Sequence, residues 1–467
     1  MRTFFLCSAL LTLACAAAPP DGPFLAEPYV QLGDNPKLPR KEQIRVLWHA
    51  ADEDAAWSAQ YRAKGATRWR AAKAVLLRRI TATDIAPHRV YAADFGGLTA
   101  GFEYHYRILL GGKPVFESAA HARKPAGAAI RFAVFGDCGQ NSPGQKAVAY
   151  QVWRAKPDFV AITGDIVYSK GLMPEYRTKY FPVYNSETAA PDAGAPLIRS
   201  TLFVSSPGNH DISGSDLAAT PGGLAYFLYW SLPLNGPLSS ASDPGAAPAR
   251  GPSGALRSFL DSAGRQFPRM ASYSFDYGNS HWTVLDSNKY SEWTSPLLRS
   301  WLEKDFASAR SAKWRFVIFH HPGFNSSKAH FKEQWMRLLA PIFERGKVDI
   351  VFAGHVHNYQ RSRPLRLVPE RPEEWRSEVD GKWSIDKTYD GSSRTKPDGV
   401  IYLVTGAGGA RLYNPEQENN PESWQDFTTR FLSKEHSFTI ADAGDSKLTV
   451  RQVDENGKEA DRFVVTK

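Results

Sequence analysis

A chain of 467 residues, 42% hydrophobic and 22% charged, can bury more than one core, so the disordered and fibrous classes are excluded. Its formal charge of +9 comes without a Lys/Arg block or a nucleic-acid-binding motif, which argues against nucleic acid as a specific partner and suits anionic substrates.

The N-terminus places Arg2 before an apolar stretch from Thr3 to Ala14 and then a series of small residues. This reads as a signal peptide over residues 1–18, cleaved near Ala16 to Ala18, because the apolar run is too short to span a bilayer. The LTLAC stretch also admits a lipid-anchored form through Cys15. The expected location is secreted or periplasmic. No later segment reaches the roughly 18 uninterrupted apolar residues of a membrane helix, so no transmembrane segment is expected. With Cys7 and Cys15 in the leader, Cys138 is left alone and no internal disulfide can form.

Residues 24–125 read as all-β. The runs QIRVLWH (43–49), WSAQYRA (57–63), HRVYAADF (88–95) and FEYHYRILL (102–110) alternate in character and are separated by turn residues, which suggests a small sandwich domain. The stretch ARKPAGAA (122–129) reads as a linker. From residue 130 to residue 467 the texture changes. Apolar runs at 131–137, 158–165, 199–211, 281–287, 315–321 and 348–355 each end in polar residues, and helix-compatible stretches lie at 144–155, 296–310 and 332–346. Strands followed by helices predict a layered α/β domain, in which sites form at the C-terminal ends of the strands. The Gly, Pro, Ala and Ser-rich segment 214–268 is either functional or disordered, and reads as an insertion near the site. The last 32 residues predict two or three closing strands around a DENG turn.

Five strand ends carry the chemistry. They are GDCG with Asp137, GDIVY with Asp165 and Tyr168, GNHD with Asn209 and His210, VIFHH with His320, and GHVH with His355 and His357. Each piece alone is weak, since Gly-Asp after a strand is usually a turn and a histidine pair is a common accident. Together they supply carboxylate, amide, phenol and imidazole donors, a mixture that suits zinc, iron or manganese. Two close cations can polarise a phosphoryl group and activate a water.

In this order the five blocks resemble those of the purple acid phosphatases, within the calcineurin-like metallophosphoesterases. The N-terminal YVQLG and LTAGFEYHYRI stretches resemble that family's fibronectin type III-like domain. The resemblance implies a four-layer α/β/β/α sandwich behind the β domain. It implies two metal ions, a ferric iron plus a divalent zinc, iron or manganese. One ion is then held by Asp137, Asp165, Tyr168 and His357, the other by Asp165, Asn209, His320 and His355, with Asp165 shared. The implied activity is hydrolysis of small-molecule phosphate monoesters by a metal-activated hydroxide. A phosphodiesterase or nucleotide-cleaving enzyme using the same metals is the alternative. A non-enzymatic binding protein working through its β domain has no reason to keep the donor set. His210 and His330 are the candidates for protonating the leaving group. His321 is expected to point away from the ligands if its strand continues, and Cys138 to be buried and inert. His49, His88, His105, His121 and His436 are expected on the surface or in packing roles.

Overall fold

The computed structural model describes residues 22–467, so the leader read over residues 1–18 lies outside the described residues. The N-terminal region forms two antiparallel four-stranded sheets. One is ordered Ala26–Gln31, Glu42–Ala51, Ile85–Leu98, Ala74–Ala82, and the other Arg70–Ala72, Trp57–Ala63, Glu103–Leu110, Lys113–His121. Trp48, Tyr91, Phe95 and Tyr106 fill the space between them, with Trp48 stacked on Tyr91 at 5.7 Å. Half of these strands were legible from alternation. The others were not, because Arg70–Ala72 and Ala74–Ala82 are exposed edge strands whose patterns carry no clean apolar face.

Two larger sheets follow. The six-stranded sheet runs Leu202–Ser205, Phe159–Ile162, Ile130–Phe135, Ser437–Ala443, Lys447–Asp454, Glu459–Thr466, so all three closing strands of the tail extend it. The seven-stranded sheet runs Tyr273–Tyr277, Ser280–Val284, Trp314–Ile318, Ile350–Ala353, Ile401–Thr405, Tyr359–Ser362, Thr428–Leu432. The sheets meet face to face through aromatic side chains. Phe132 of the first lies edge-on to Trp282 of the second at 4.7 Å, and Trp282 packs on Phe316 at 4.4 Å. A threonine pair bridges the layers, with Thr439 donating to Thr405 at 3.1 Å. The helix Pro143–Ala155 covers one outer face. It starts where Ser142 accepts from the backbone of Gln145, with Pro143 at its first position. The helices Pro296–Ser308 and Ala340–Arg345 cover the other outer face over a second core containing Leu302, Phe306, Trp335 and Phe343. This is the four-layer α/β/β/α arrangement.

The stretch 332–346 is not one helix. Residues 332–334 are not helical, Trp335–Leu339 is a 3₁₀ segment, and only Ala340–Arg345 is α-helical. Pro341 at the start of the α-helical part has no N–H to continue a ladder from the preceding turn.

The segment 214–268 holds the short helix Tyr226–Tyr229 and the helix Ser253–Ala263. Tyr226, Phe227, Leu228, Tyr229 and Trp230 are all buried. The segment buttresses the β domain. Arg78 donates to the carbonyls of Phe227 and Leu228 at 2.9 and 2.7 Å, Tyr29 to that of Tyr229 at 2.7 Å, and the Ser231 N–H reaches Gln31 at 2.8 Å. His49 and His88 belong to this junction and are fully buried, each bonded to a tyrosine hydroxyl.

Candidate metal centre

Strand register sets the site. Phe159–Ile162 pairs in parallel with both its neighbours, so Phe135, Ile162 and Ser205 end at one level. Ile318 and Phe352 are likewise partners in the facing sheet. The chain turns sharply just beyond these ends. Asp137, Asp165 and His355 adopt left-handed backbone conformations at φ 57°, 50° and 67°, a state that costs a non-glycine residue about 1–2 kcal/mol. Glycines make the room. A Cβ on Gly208 would lie 2.1 Å from Asp165 Oδ1, and one on Gly354 or Gly406 would lie 2.6 Å from Asp137 Oδ2.

The donors of the five blocks come together in two groups. In the first, the Tyr168 hydroxyl is 3.2 Å from Asp137 Oδ1 and 3.0 Å from His357 Nε2. In the second, His320 Nε2 lies 3.0 Å from Asn209 Oδ1, 3.2 Å from His355 Nδ1 and 3.3 Å from Asp165 Oδ1. The carboxylate of Asp165 stands between them, close enough to Asp137 and His357 to share an ion.

Each imidazole is aimed by the bond its other nitrogen makes. His320 Nδ1 donates to the carbonyl of Thr163 at 2.8 Å and His357 Nδ1 to that of Arg411 at 2.7 Å, leaving the Nε2 atoms to face the centre. His355 is reversed, with Nε2 on Glu333 Oε2 at 2.6 Å and Nδ1 facing the centre.

The donor chemistry fits cations. Asp137 and Asp165 are fully buried carboxylates with no Lys or Arg partner among the described residues. Burial works against charging His320, yet Asp165 and Asp137 push its pKa up to about 9, the mark of a site that draws positive charge. Burial and the same carboxylates push the Tyr168 phenol well above its ordinary range, so it keeps its proton and donates to Asp137.

His210 and His330 flank the centre with about a third of each side chain exposed. His210 Nδ1 donates to the Ser169 carbonyl at 2.6 Å, which leaves Nε2 on the side of Asp165, 3.9 Å from its Oδ2. His330 packs against His355 at 4.0 Å on the other flank. A cleft of about 370 Å³ opens beside them, lined in part by Asn209, Ser213, Lys289, His330 and Glu333.

Three side chains escaped the sequence reading. The strand Trp314–Ile318 ends before His321, so that ring is not turned away from the site but packs 4.3 Å from His355, with Nδ1 on the Ser287 hydroxyl at 2.9 Å. Asp211 accepts the N–H groups of Gly208 and Ile166 at 2.8 and 3.1 Å, bracing the second block against the third. Burial, and then Asp165, push its pKa up to about 8. Glu333 carries no motif, and only its three-residue offset from His330 hints at a role. Cys138 is fully buried, and burial pushes its thiol far above its usual range, so it is inert.

Residues 130–359 match the family model for calcineurin-like phosphoesterases. Among curated proteins, the chain is 25% identical over 281 residues to purple acid phosphatase 21 of Arabidopsis thaliana, covering 59% of this chain and 54% of that one. It is 39% identical over 101 residues to a purple acid phosphatase of Glycine max, covering 21% of each. The matched region thus spans about half, or less, of these relatives' length. Among solved structures, a purple acid phosphatase isolated from yellow lupin (Lupinus luteus) seeds superposes with a TM-score of 0.65 at 17% identity, over 96% of this chain and 75% of that one. The structure of PhoD superposes with a TM-score of 0.57 at 13% identity, over 97% and 94%. These two likenesses speak to the fold.

Proposed function

We propose that this chain, whose residues 130–359 are a calcineurin-like phosphoesterase domain, is a dinuclear metal-dependent phosphatase that hydrolyses phosphate monoesters. The observation that carries the reading is the convergence of Asp137, Asp165, Tyr168, Asn209, His320, His355 and His357 in two groups about one shared carboxylate. Asp137, Tyr168 and His357 would hold one ion and Asn209, His320 and His355 the other, with Asp165 a donor to both. The phenol of Tyr168 favours ferric iron in the first position, and zinc, iron or manganese suits the second. When bound, such a pair supplies charge to a phosphoryl group and a water of lowered pKa.

The protein's own residues do the rest. Buried Asp165, lying within reach of both groups, would be shared by the two positions. The carbonyls of Thr163 and Arg411 and the carboxylate of Glu333 keep the three ligand imidazoles in fixed tautomers. His210 and His330, each about a third exposed on opposite flanks of the centre, orient the ester, and in protonated form one of them delivers a proton to the departing alkoxide oxygen. The relatives are named purple acid phosphatases, which supports this substrate class. Export through the N-terminal leader is part of the same proposal. No helix among the described residues is long and apolar enough to cross a membrane.

The test is metal analysis of the purified chain together with rates on an aryl phosphate monoester and the matching diester. Two metals per chain and a faster monoester rate are expected. A metal-free, inactive product sinks the reading, and a faster diester rate moves the substrate class.

A further inference from the structure

We propose that Glu333 is a positioning residue of the metal centre, holding His355 in the tautomer and orientation in which Nδ1 is presented as a ligand. This rests on reading the cluster as a metal centre. A neutral imidazole has one N–H, and the better acceptor decides which nitrogen carries it. Glu333 Oε2 lies 2.6 Å from His355 Nε2, and His355 Nδ1 lies 3.2 Å from His320 Nε2, inside the donor cluster. His320 and His357 are fixed by backbone carbonyls through Nδ1. His355 alone of the three depends on a side chain, and it presents the opposite nitrogen.

Glu333 is itself held in place. Its N–H reaches the carbonyl of His330 at 3.1 Å, and the next residue, Gln334, is tied to Ser377 and Arg337 at 2.7 and 2.8 Å. Its Oε1 meets Lys289 Nζ at 3.3 Å, and Oε2 lies 3.4 Å from His330 Nδ1. One carboxylate therefore touches a ligand imidazole and a candidate acid at once. Through it, a turn of four residues ties the seating of the metal to the placement of His330.

Outer-shell carboxylates of this kind change metal affinity by about 10–100-fold. The test loads wild type and variants with zinc, removes the excess, and follows zinc loss to a chelator without substrate. Glu333→Ala is expected to release one ion about 10–100-fold faster while the other stays. Glu333→Gln, whose amide oxygen can accept the same N–H, is expected to restore most of the retention. Lys332→Ala, which removes an exposed neighbouring lysine paired with Glu378 and not with Glu333, is expected to leave release unchanged. Circular dichroism confirms that each variant is folded. Equal release from Glu333→Ala and wild type overturns the proposal, as does a folded Gln variant that fares no better than Ala. A wild type that takes up no zinc overturns it together with the metal-centre reading. A wild type that holds two ions yet cleaves no phosphate ester overturns only the phosphatase reading.

Discussion

Tyr168 and the two flanking histidines show what single residues contribute. Tyr168 touches both Asp137 and His357, so a phenolate there would bind a ferric ion directly and colour the protein. Tyr168→Phe is expected to abolish the visible absorption band while the zinc-loaded variant keeps its fold, read by spectrophotometry and circular dichroism. A band that persists removes the tyrosine from the ligand set. For the flanking rings, His330→Ala and His210→Ala are compared on alkyl and aryl phosphates. Whichever residue protonates the leaving oxygen should lower kcat by about 10²–10⁴-fold on the alkyl ester and far less on a nitrophenyl ester, whose leaving group needs no proton. The sequence marked His210 by its place beside Asn209, and His330 through the resemblance to the family. It could not mark Glu333. That contact joins residues 333 and 355 across a turn and a strand end, and no local pattern encodes it.

Whole elements aim these residues. Four of the five blocks were legible because an apolar run leading into Gly-Asp, Gly-Asn or Gly-His is a local signal, and VIFHH because its histidines close an apolar run. That the strand ends lie level is a property of register, visible only once the pairs Phe135–Ile162, Ile162–Ser205 and Ile318–Phe352 exist. Gly208→Ala would drive a methyl group into Asp165 and is expected to lose bound metal, measured by elemental analysis, even if the chain still folds. The NYQR run after GHVH anchors the loop. Tyr359 and Arg361 bind buried Asp461 on the last strand at 2.9 and 2.8 Å, and Asn358 reaches the carbonyl of Tyr413. A second buried network ties the hairpin Tyr273–Val284 to the helix Pro296–Ser308. His281 donates to Asp276 at 2.7 Å and to Asp305 at 3.0 Å. Burial opposes its charge, but the two carboxylates outweigh it and raise its pKa. A raised folded-state pKa means this contribution is fully present below the unfolded value, about 6.5, and fades as pH climbs through the folded value. The urea midpoint is therefore expected to fall between neutral and alkaline pH more steeply in wild type than in His281→Asn. Parallel profiles would rule the network out as the cause.

At the scale of the molecule, the β domain and the α/β sandwich are joined by buried polar contacts as well as packing. Glu42 and Arg123 form a two-pronged pair at 2.8 Å, with side chains only 1% and 4% exposed, and Arg123 also reaches the carbonyl of Asp276 in the α/β sandwich. Removing one partner of such a pair typically costs about 3–5 kcal/mol, because the other charge is left buried alone. Glu42→Ala is expected to lower the melting temperature sharply. An unchanged melting curve would show that the junction does not depend on the pair. The segment 214–268 belongs to this scale too. Its composition resembled a loop, yet its YFLYW run is buried and bonded to the β domain, a role that exists only when both bodies are present.

The sequence by itself determined where the donors stand and that strands and helices alternate around them, because hydrophobic period, glycine turns and donor type are written within a few residues. Only the tertiary structure decided which nitrogen each imidazole turns inward, that Asp165 stands between the two groups, that His321 lies beside His355, and that Glu333 belongs to the centre. Those outcomes depend on strand register and on contacts between distant turns, where burial limits the partners a polar atom can find.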